Sequence, residues 1–162
     1  MFLLDTDIIS NFRKAKPHPN LLAWIDATGW SEVASSVISL MEIQIGIERV
    51  RRSDPGVAAV VEEWLNGILQ AGPMQIISLG PDAAIILGKM YDQPALRNFL
   101  FPAPASKRPK TGADLAIAAI AIAAGAVVVS ANERDFLAIH RHFPLPALFN
   151  PLENRWPVPL NT

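Results

Sequence analysis

The stretch LAIAAIAIAAGAVVV, residues 115–129, carries no charged side chain and changes character at Gly125. Its first part is rich in alanine and favours a helix, whereas the three valines at its end are β-branched and favour a buried strand. At 15 residues the run is shorter than the roughly 18 that suggest a membrane crossing. It therefore predicts a helix, a turn and a buried strand, which is the core of a βα-type fold.

The same alternation of strands and helices continues on both sides of this stretch. Strands are predicted at Phe2–Leu4, Val33–Ile38, Gln75–Leu79, Val127–Val129 and, as an edge strand, Ala147–Phe149. Helices are predicted at Thr6–Phe12, Leu21–Ala27, Leu40–Val50 with Ser39 as its cap, Val57–Leu69, from Pro81 to about Tyr91, from Asp114 to the glycine, and from Glu133 to about His142. An irregular loop is predicted between Pro94 and Pro109, where prolines are frequent.

Strands that alternate with helices predict an α/β protein, a three-layer sandwich around a mostly parallel central sheet. We expect one domain over residues 1–150, followed by a proline-containing C-terminal tail at 151–162. Ligands of such sheets bind beyond the carboxyl ends of the strands. Functional residues are therefore sought where strands end.

Composition excludes several classes of protein. The chain has 162 residues, 14 basic and 15 acidic, and is 51% apolar and 18% charged, so it can form a core and is not intrinsically disordered. Cysteine is absent, which excludes disulfides and thiolate metal sites. Asp5 and Asp7 interrupt the first apolar run, which argues against a secretory signal. We expect a cytoplasmic protein with no membrane association.

Four acidic residues stand at strand ends or on otherwise apolar elements: Asp5, Glu42, Asp114 and Asp135. If they met in one pocket, each pair about 4 Å apart would repel by about 4 kcal/mol at an effective dielectric constant of 20. A cation would then be needed to hold them together. Oxygen ligands without histidine or cysteine select Mg²⁺ or Mn²⁺, and Mg²⁺ shares its remaining positions with substrate phosphates. The pattern predicts phosphoryl or phosphodiester chemistry.

Each carboxylate also has a local explanation. The alternatives are helix capping for Asp5 and Asp7, a surface ion pair on the helix for Glu42, a capping box beginning at Thr111 for Asp114, and a surface ion pair for Asp135. The capping and ligand roles are compatible. The common position of all four near strand ends favours a shared site.

Four segments together resemble, in order and spacing, the motifs of PIN-domain ribonucleases, and most closely those of VapC-type toxins. They are LLDTDIIS at 3–10, SLMEIQIG at 39–46, DLAIAA at 114–119 and VSANERDF at 129–136. The resemblance covers nearly the whole chain and implies that residues 1–150 form a PIN-like nuclease domain. In that family an acidic quartet holds Mg²⁺ or Mn²⁺ and hydrolyses RNA.

The resemblance assigns the catalytic, metal-holding positions to Asp5, Glu42, Asp114 and Asp135. It places Ser130, Asn132 and Thr6 in supporting positions. In some relatives the acidic group of the last motif stands where this chain has Asn132, so the fourth ligand is Asp135, Asn132 or both through water. Asp135 is the first choice.

The resemblance also implies partners. A VapC-type toxin cleaves RNA, is inhibited by a cognate antitoxin protein, and forms a homodimer and sometimes a higher toxin–antitoxin assembly. Clusters of basic residues flank the motif-bearing elements and are candidates for RNA binding: Arg13, Lys14, Arg49, Lys107, Arg108 and Lys110. The net charge of −1 limits any such footprint to local patches.

Two other functions remain open on sequence alone. Asp5 and Asp7 could form the DxD motif of a haloacid-dehalogenase-like phosphatase, with Asp5 as the nucleophile, although no adjacent acidic pair follows late in the chain. The chain could also be a non-catalytic PIN-like binding module. The intact acidic residues favour an enzyme.

Overall fold

The computed structural model describes residues 1–72, 74–101 and 111–160. Its strands are β1 Phe2–Leu4, β2 Val33–Ser36, β3 Gln75–Ile77, β4 Val127–Val129, β5 Leu148–Asn150 and β6 Arg155–Val158. Its α-helices are α1 Thr6–Phe12, α2 Pro19–Thr28, α3 Val37–Arg51, α4 Pro55–Ala71, α5 Pro81–Asp92, α6 Ala113–Ala124 and α7 Glu133–His140. Short 3₁₀ helices form at Trp30–Glu32 and Pro94–Phe99.

The strands form one mixed sheet in the order β3-β2-β1-β4-β5-β6. All neighbours are parallel except β6, which runs antiparallel to β5. The chain steps outward from β1 to β2 and β3, then crosses to the other side of β1 to form β4. The strand order therefore reverses between β1 and β4, and such a reversal opens a crevice at the carboxyl ends of the two strands.

Alternating residues of the strands build a separate apolar core on each face of the sheet. Leu3 and Val128 pack on one face with α5, α6 and α7, whereas Leu4 and Val129 pack on the other with α1 to α4. Helices on both faces of a mostly parallel sheet confirm the predicted three-layer α/β sandwich. None of the helices in the described part of the chain has the length and apolarity that a membrane crossing requires.

The stretch at 115–129 folds as predicted. Eight of the twelve residues of α6 are buried, Gly125 ends the helix in the left-handed conformation with φ 61°, and β4 is buried along its length. Glycine enters this conformation without the steric penalty that a side chain brings. The segment forms the centre of the molecule because β4 pairs with β1 and with β5.

Two predicted helix caps were wrong. Helix α3 begins at Val37 rather than Leu40, and its cap is Ser36, whose hydroxyl accepts the Ser39 N–H at 3.1 Å. Helix α6 has Gly112 rather than Thr111 as its N-cap, with φ 67° and no side-chain cap. A Cβ on Gly112 would lie 3.1 Å from Leu100 Cδ2, so close packing as well as backbone conformation favours glycine there.

The C-terminal region differs from its prediction as well. Strand β5 is not an edge strand, because β6 lies outside it. Strand β6 comes from the segment predicted as a tail, and Trp156 packs against Phe149 with ring centroids 4.7 Å apart. Arg155 also forms an ion pair with Glu133 at the start of α7. Aromatic packing and this ion pair attach the segment to the sheet.

Candidate active site

Asp5 is the first residue after β1 and lies at the point where the strand order reverses. Its side chain is only 4% exposed. One carboxylate oxygen accepts the Thr6 N–H at 2.7 Å, and the other accepts the Ser130 hydroxyl at 2.7 Å. Ser130 follows β4 and is fully buried. The ends of β1 and β4 therefore fix the orientation of Asp5.

The environment of Asp5 is electrostatically unfavourable for a carboxylate. Burial raises its pKa well above the usual value, and the negative charges of Asp7 and Asp114 raise it further. The hydrogen bonds from Ser130 and Thr6 lower the pKa but do not compensate. A buried carboxylate with acidic neighbours is a group that a cation would stabilise.

Asp114 is far from Asp5 in the sequence but lies near the same region of the fold. It lies in the first turn of α6, is partly buried, and raises the pKa of Asp5 through its charge. Helix α6 begins at the edge where the parallel strands end and runs back across the sheet to the start of β4. This topology places Asp114 at that edge. Asp5 and Asp114 are therefore close enough to interact electrostatically.

Glu42 is connected to the site by two hydroxyl groups. The Thr6 hydroxyl donates to one oxygen of its carboxylate at 2.6 Å, and the Thr111 hydroxyl donates to the other at 3.3 Å. Thr6 is adjacent to Asp5, so the first bond brings Glu42 to the end of β1. The sequence had indicated only a capping role for Thr111, and no local pattern reveals a bond between residues so distant in sequence.

Asp135 is more peripheral than the other predicted residues. Its carboxylate accepts a hydrogen bond from the Asn132 side chain at 3.2 Å, and the Asn132 N–H donates to the Ser130 hydroxyl at 2.9 Å. Asp135 is also 3.6 Å from the guanidinium of Arg134, whose side chain is 95% exposed. Asp135 is thus connected to Asp5 through Asn132 and Ser130.

Asp7 lies closer to the centre of the site than the sequence suggested. Its carboxylate accepts the Ala131 N–H at 3.0 Å, in the loop between β4 and α7. Burial of this carboxylate among its neighbours raises the pKa of Asp7, although the residue as a whole is exposed. The signal in the sequence was its position, two residues after Asp5 at the start of a helix.

The predicted basic residues fall into two groups. Arg13, Lys14 and Arg49 are exposed at the ends of α1 and α3, and the charge of Lys14 lowers the pKa of Asp7. Lys14 is therefore near the acidic site. Lys107, Arg108 and Lys110 lie outside the described residues.

A second polar cluster, missed by sequence reasoning, supports the loop between β4 and α7. Glu133 directly follows Asn132 and accepts hydrogen bonds from the Asn150 amide at 2.7 Å and from Arg155 Nε at 2.9 Å. Burial alone would raise the pKa of Glu133, but the bonds from Arg155 and Asn150 lower it below its usual value. Glu133 is therefore an ionised anchor that ties the first turn of α7 to β5 and β6.

The donor set suits a hard divalent cation. The acidic side chains offer only carboxylate oxygens, which Mg²⁺ and Mn²⁺ prefer, and burial, followed by the charges of Asp7 and Asp114, raises the pKa of Asp5. Within residues 1–72, 74–101 and 111–160, however, no three acidic or histidine side chains already converge as ligands on one point. The residues fit the chemistry of such an ion, and binding would draw the side chains together.

Comparison with known proteins agrees with this geometry. The chain is 31% identical over 65 residues to Ribonuclease VapC14 of Mycobacterium tuberculosis (strain CDC 1551 / Oshkosh), a match that covers 40% of this chain and only 63% of that relative.

Solved structures extend the likeness to almost the whole fold. The chain is 25% identical to a chain of FitAB bound to an IR36 DNA fragment, with a TM-score of 0.69 and coverage of 94% and 96% of the two chains. It has the fold of FitAcB from Neisseria gonorrhoeae, at 23% identity, a TM-score of 0.66 and coverage of 93% and 98%. It also has the fold of VapBC2 from Rickettsia felis, at 19% identity, a TM-score of 0.64 and coverage of 92% and 97%.

The model of the PIN domain family matches residues 2–141. This range contains all four acidic positions, β1 to β4 and the reversal of strand order between β1 and β4. By its sequence over most of its length, and in agreement with its fold, the chain belongs to the PIN-domain family.

Proposed function

We propose that this protein is a metal-dependent endoribonuclease and the toxin of a toxin–antitoxin pair. The observation that carries the proposal is the buried carboxylate of Asp5, placed between β1 and β4 with its pKa raised by burial and by acidic neighbours. Membership of the PIN family and the similarity to Ribonuclease VapC14 support RNA as the substrate.

The residues that would hold the ion are Asp5, Asp114, Glu42 and Asp135. Mg²⁺ or Mn²⁺ fits their oxygen donors. When bound, such a cation neutralises charge on the phosphate oxygens and lowers the pKa of the attacking water. The products expected from the family are a 5′-phosphate and a 3′-hydroxyl.

The chain's own residues have distinct parts in this proposal. Ser130 and the Thr6 N–H orient Asp5 before substrate arrives, because both oxygens of Asp5 already accept a hydrogen bond. Thr6 and Thr111 orient Glu42. Asn132 links Ser130 to Asp135, because its N–H donates to the Ser130 hydroxyl and its side-chain amide donates to Asp135. Orientation in advance lowers the reorganisation that the reaction requires.

Arg13, Lys14 and Arg49 are the basic residues that we propose to contact the RNA backbone. They are exposed at the ends of the two helices that carry Thr6 and Glu42. Phosphate contacts of this kind contribute affinity without sequence specificity and weaken as salt rises. Removal of these charges should therefore raise KM more than it lowers kcat.

We propose a cognate antitoxin as the protein partner, a homodimer as the basic assembly and the cytoplasm as the location. The solved structures similar to this chain include FitAB and VapBC2 bound to DNA fragments, which supports a partner of the same kind. Size-exclusion chromatography with light scattering, with and without the co-expressed neighbouring gene product, tests both assemblies. A monomer that no such product inhibits would contradict them.

The phosphatase alternative is less well supported. A phosphatase of that type also needs an adjacent acidic pair late in the chain, and the sequence has none. The non-catalytic alternative leaves the unfavourable burial of Asp5 among acidic residues without a purpose. Both alternatives nevertheless predict results that differ from those of a nuclease.

The first test is cleavage of a mixed cellular RNA pool by purified, antitoxin-free protein in Mn²⁺ or Mg²⁺. We expect cutting that chelator abolishes, with 5′-phosphate ends on the products. Asp26→Asn, an exposed acidic residue of α2, is the matched control and should cleave like the unmodified protein. Cleavage that persists in chelator would refute metal dependence. Hydrolysis of phosphomonoesters without RNA cleavage would favour the phosphatase.

A further inference from the structure

The loop between β4 and α7 is attached to the end of β1 through consecutive residues. Ser130 donates its hydroxyl hydrogen to Asp5 at 2.7 Å, and Ala131 donates its N–H to the Asp7 carboxylate at 3.0 Å. The Asn132 N–H then donates to the Ser130 hydroxyl at 2.9 Å. Asp7 accepts the middle bond. Of these three bonds, it is the one that joins a backbone N–H of the loop to a side chain of α1.

This bond acts on the residues that matter for the site. Ala131 itself is exposed, so its packing does little to fix the loop. Its neighbours on either side are Ser130, which orients Asp5, and Asn132, which contacts Asp135. Ser130 is also held by its own N–H, which donates to the Phe149 carbonyl at 3.1 Å. A shift of the Ala131 backbone would therefore chiefly displace Asn132 and its contact with Asp135.

The contact requires an oxygen acceptor and not a charge. An asparagine side chain at the same position offers an amide oxygen of nearly identical shape and no negative charge. An alanine offers neither. The two substitutions therefore separate a role in holding the loop from a role as a metal ligand or as a proton donor.

We propose that Asp7 is a positioning residue, whose carboxylate oxygen holds the Ala131 N–H and thereby keeps Asn132 in place, with its bonds to Ser130 and Asp135. This inference rests on the proposed nuclease function for its effect on catalysis. The attachment of the loop is independent of that function. It extends the site beyond the four acidic residues that the sequence motifs indicate.

The experiment compares Asp7→Asn and Asp7→Ala with the unmodified protein and with Asp5→Asn. The readouts are hydrogen exchange of the Ala131 amide by NMR, Mn²⁺ affinity by calorimetry, and RNA cleavage resolved into kcat and KM. Thermal unfolding of each variant confirms that all assays are made on folded protein. Asp26→Asn again serves as the matched control for removal of one acidic charge.

For Asp7→Asn we expect Ala131 protection and kcat within about threefold of the unmodified protein, and a fall in Mn²⁺ affinity smaller than that of Asp5→Asn, because Asp7 contributes negative charge beside Asp5. For Asp7→Ala, loss of the hydrogen bond should speed exchange of the Ala131 amide about tenfold and lower kcat by about tenfold, with little change in KM. Rescue by asparagine is the signature of an acceptor that positions the loop.

Two results would overturn the inference. In the first, Asp7→Asn loses Mn²⁺ affinity and RNA cleavage to the same extent as Asp5→Asn, while the Ala131 amide stays protected. That result would show that the charge of Asp7 is essential. The other is Asp7→Ala retaining both Ala131 protection and kcat. If the unmodified protein cleaves no RNA, the proposed function fails by itself. The inference about Asp7 is then decided by amide exchange and Mn²⁺ affinity, with the same expected order of variants.

Discussion

The two halves of the site are built in different ways. On the side of β1 and β4, Asp5 and Ser130 are buried, and both oxygens of Asp5 accept hydrogen bonds of 2.7 Å. On the side of α3 and α6, Glu42 is partly exposed and is held by side-chain hydroxyls, one of them at 3.3 Å. Backbone and buried groups fix the first half, whereas rotatable side chains hold the second. We infer that the first half is preorganised and that the second would adjust on binding the metal and RNA that we propose.

The largest expected effect comes from breaking the fixed half at its centre. Asp5→Asn keeps the shape and the hydrogen-bond acceptor of one oxygen but removes the charge that a cation requires. We expect RNA cleavage to fall by about 10²-fold or more, on the scale of losing a central electrostatic group. Single-turnover cleavage in Mn²⁺ measures the loss. Cleavage within tenfold of the unmodified protein would show that Asp5 does not hold the ion.

The second prediction weakens the same half without removing a carboxylate. Ser130→Ala deletes the buried hydroxyl that donates to Asp5 and accepts from Asn132. The buried carboxylate of Asp5 and the partly buried N–H of Asn132 each lose a partner, so the free energy of unfolding should fall by about 1–3 kcal/mol. Chemical denaturation measures this change. Cleavage at a temperature where the variant is fully folded should fall about tenfold. Unchanged stability would mean that water replaces the hydroxyl.

The third prediction uses pH to test how much the buried charge of Asp5 lowers the free energy of unfolding of the metal-free protein. Burial first, then Asp7, raises the pKa of Asp5 above its usual value of 3.8. The folded state therefore binds this proton more tightly than the unfolded state, and that stabilisation is lost as pH rises through the folded pKa.

Asp5→Asn cannot lose the proton, so in chelator it should be more stable than the unmodified protein at about pH 7, by on the order of 1 kcal/mol. The difference should shrink toward about pH 4, where Asp5 is increasingly protonated. Thermal melts of both proteins across this range give the difference. A constant difference would contradict a raised pKa.

The smallest effect is expected in the adjustable half. Thr111→Val removes the hydroxyl that donates to Glu42 at 3.3 Å but keeps the shape of the side chain. Thr111 is exposed, so we expect stability within about 0.5 kcal/mol of the unmodified protein and cleavage lowered about threefold. A tenfold loss would show that Glu42 is as firmly positioned as Asp5. The distinction between the two halves would then fail.

Sequence reasoning identified the elements whose signals are local. The alanine-rich helix, Gly125 and the valines of β4 lie where periodicity and propensity placed them. The start of α3 was misjudged because Val37 and Ile38 are β-branched and favour a strand in isolation. The Ser36 cap and packing on the sheet outweigh that preference. Strand β6 was missed because Pro157 is unfavourable in central strands, although an edge strand tolerates it.

The site was predictable to a similar extent. Asp5 and Asp114 follow from their positions at the edge of the sheet, and the structure brings them into one electrostatic environment. The bonds of Thr111 to Glu42 and of Asp7 to Ala131 were missed because these partners are distant in sequence. Local patterns assign a cap to both residues. Only the packed structure shows which acceptor or donor each one meets.

The hydrogen bond between Asp5 and Ser130 also determines when, during synthesis of the chain, the site can form. The two residues are 125 positions apart in the chain, and the strands that carry them, β1 and β4, are direct neighbours in the sheet. At a synthesis rate of about 5–20 residues per second, the ribosome needs about 6–25 s to make the second after the first. During that interval β1 lacks the strand that completes its pocket. A growing chain therefore cannot assemble the acidic site, so the nuclease that we propose would stay inactive until β4 has been made.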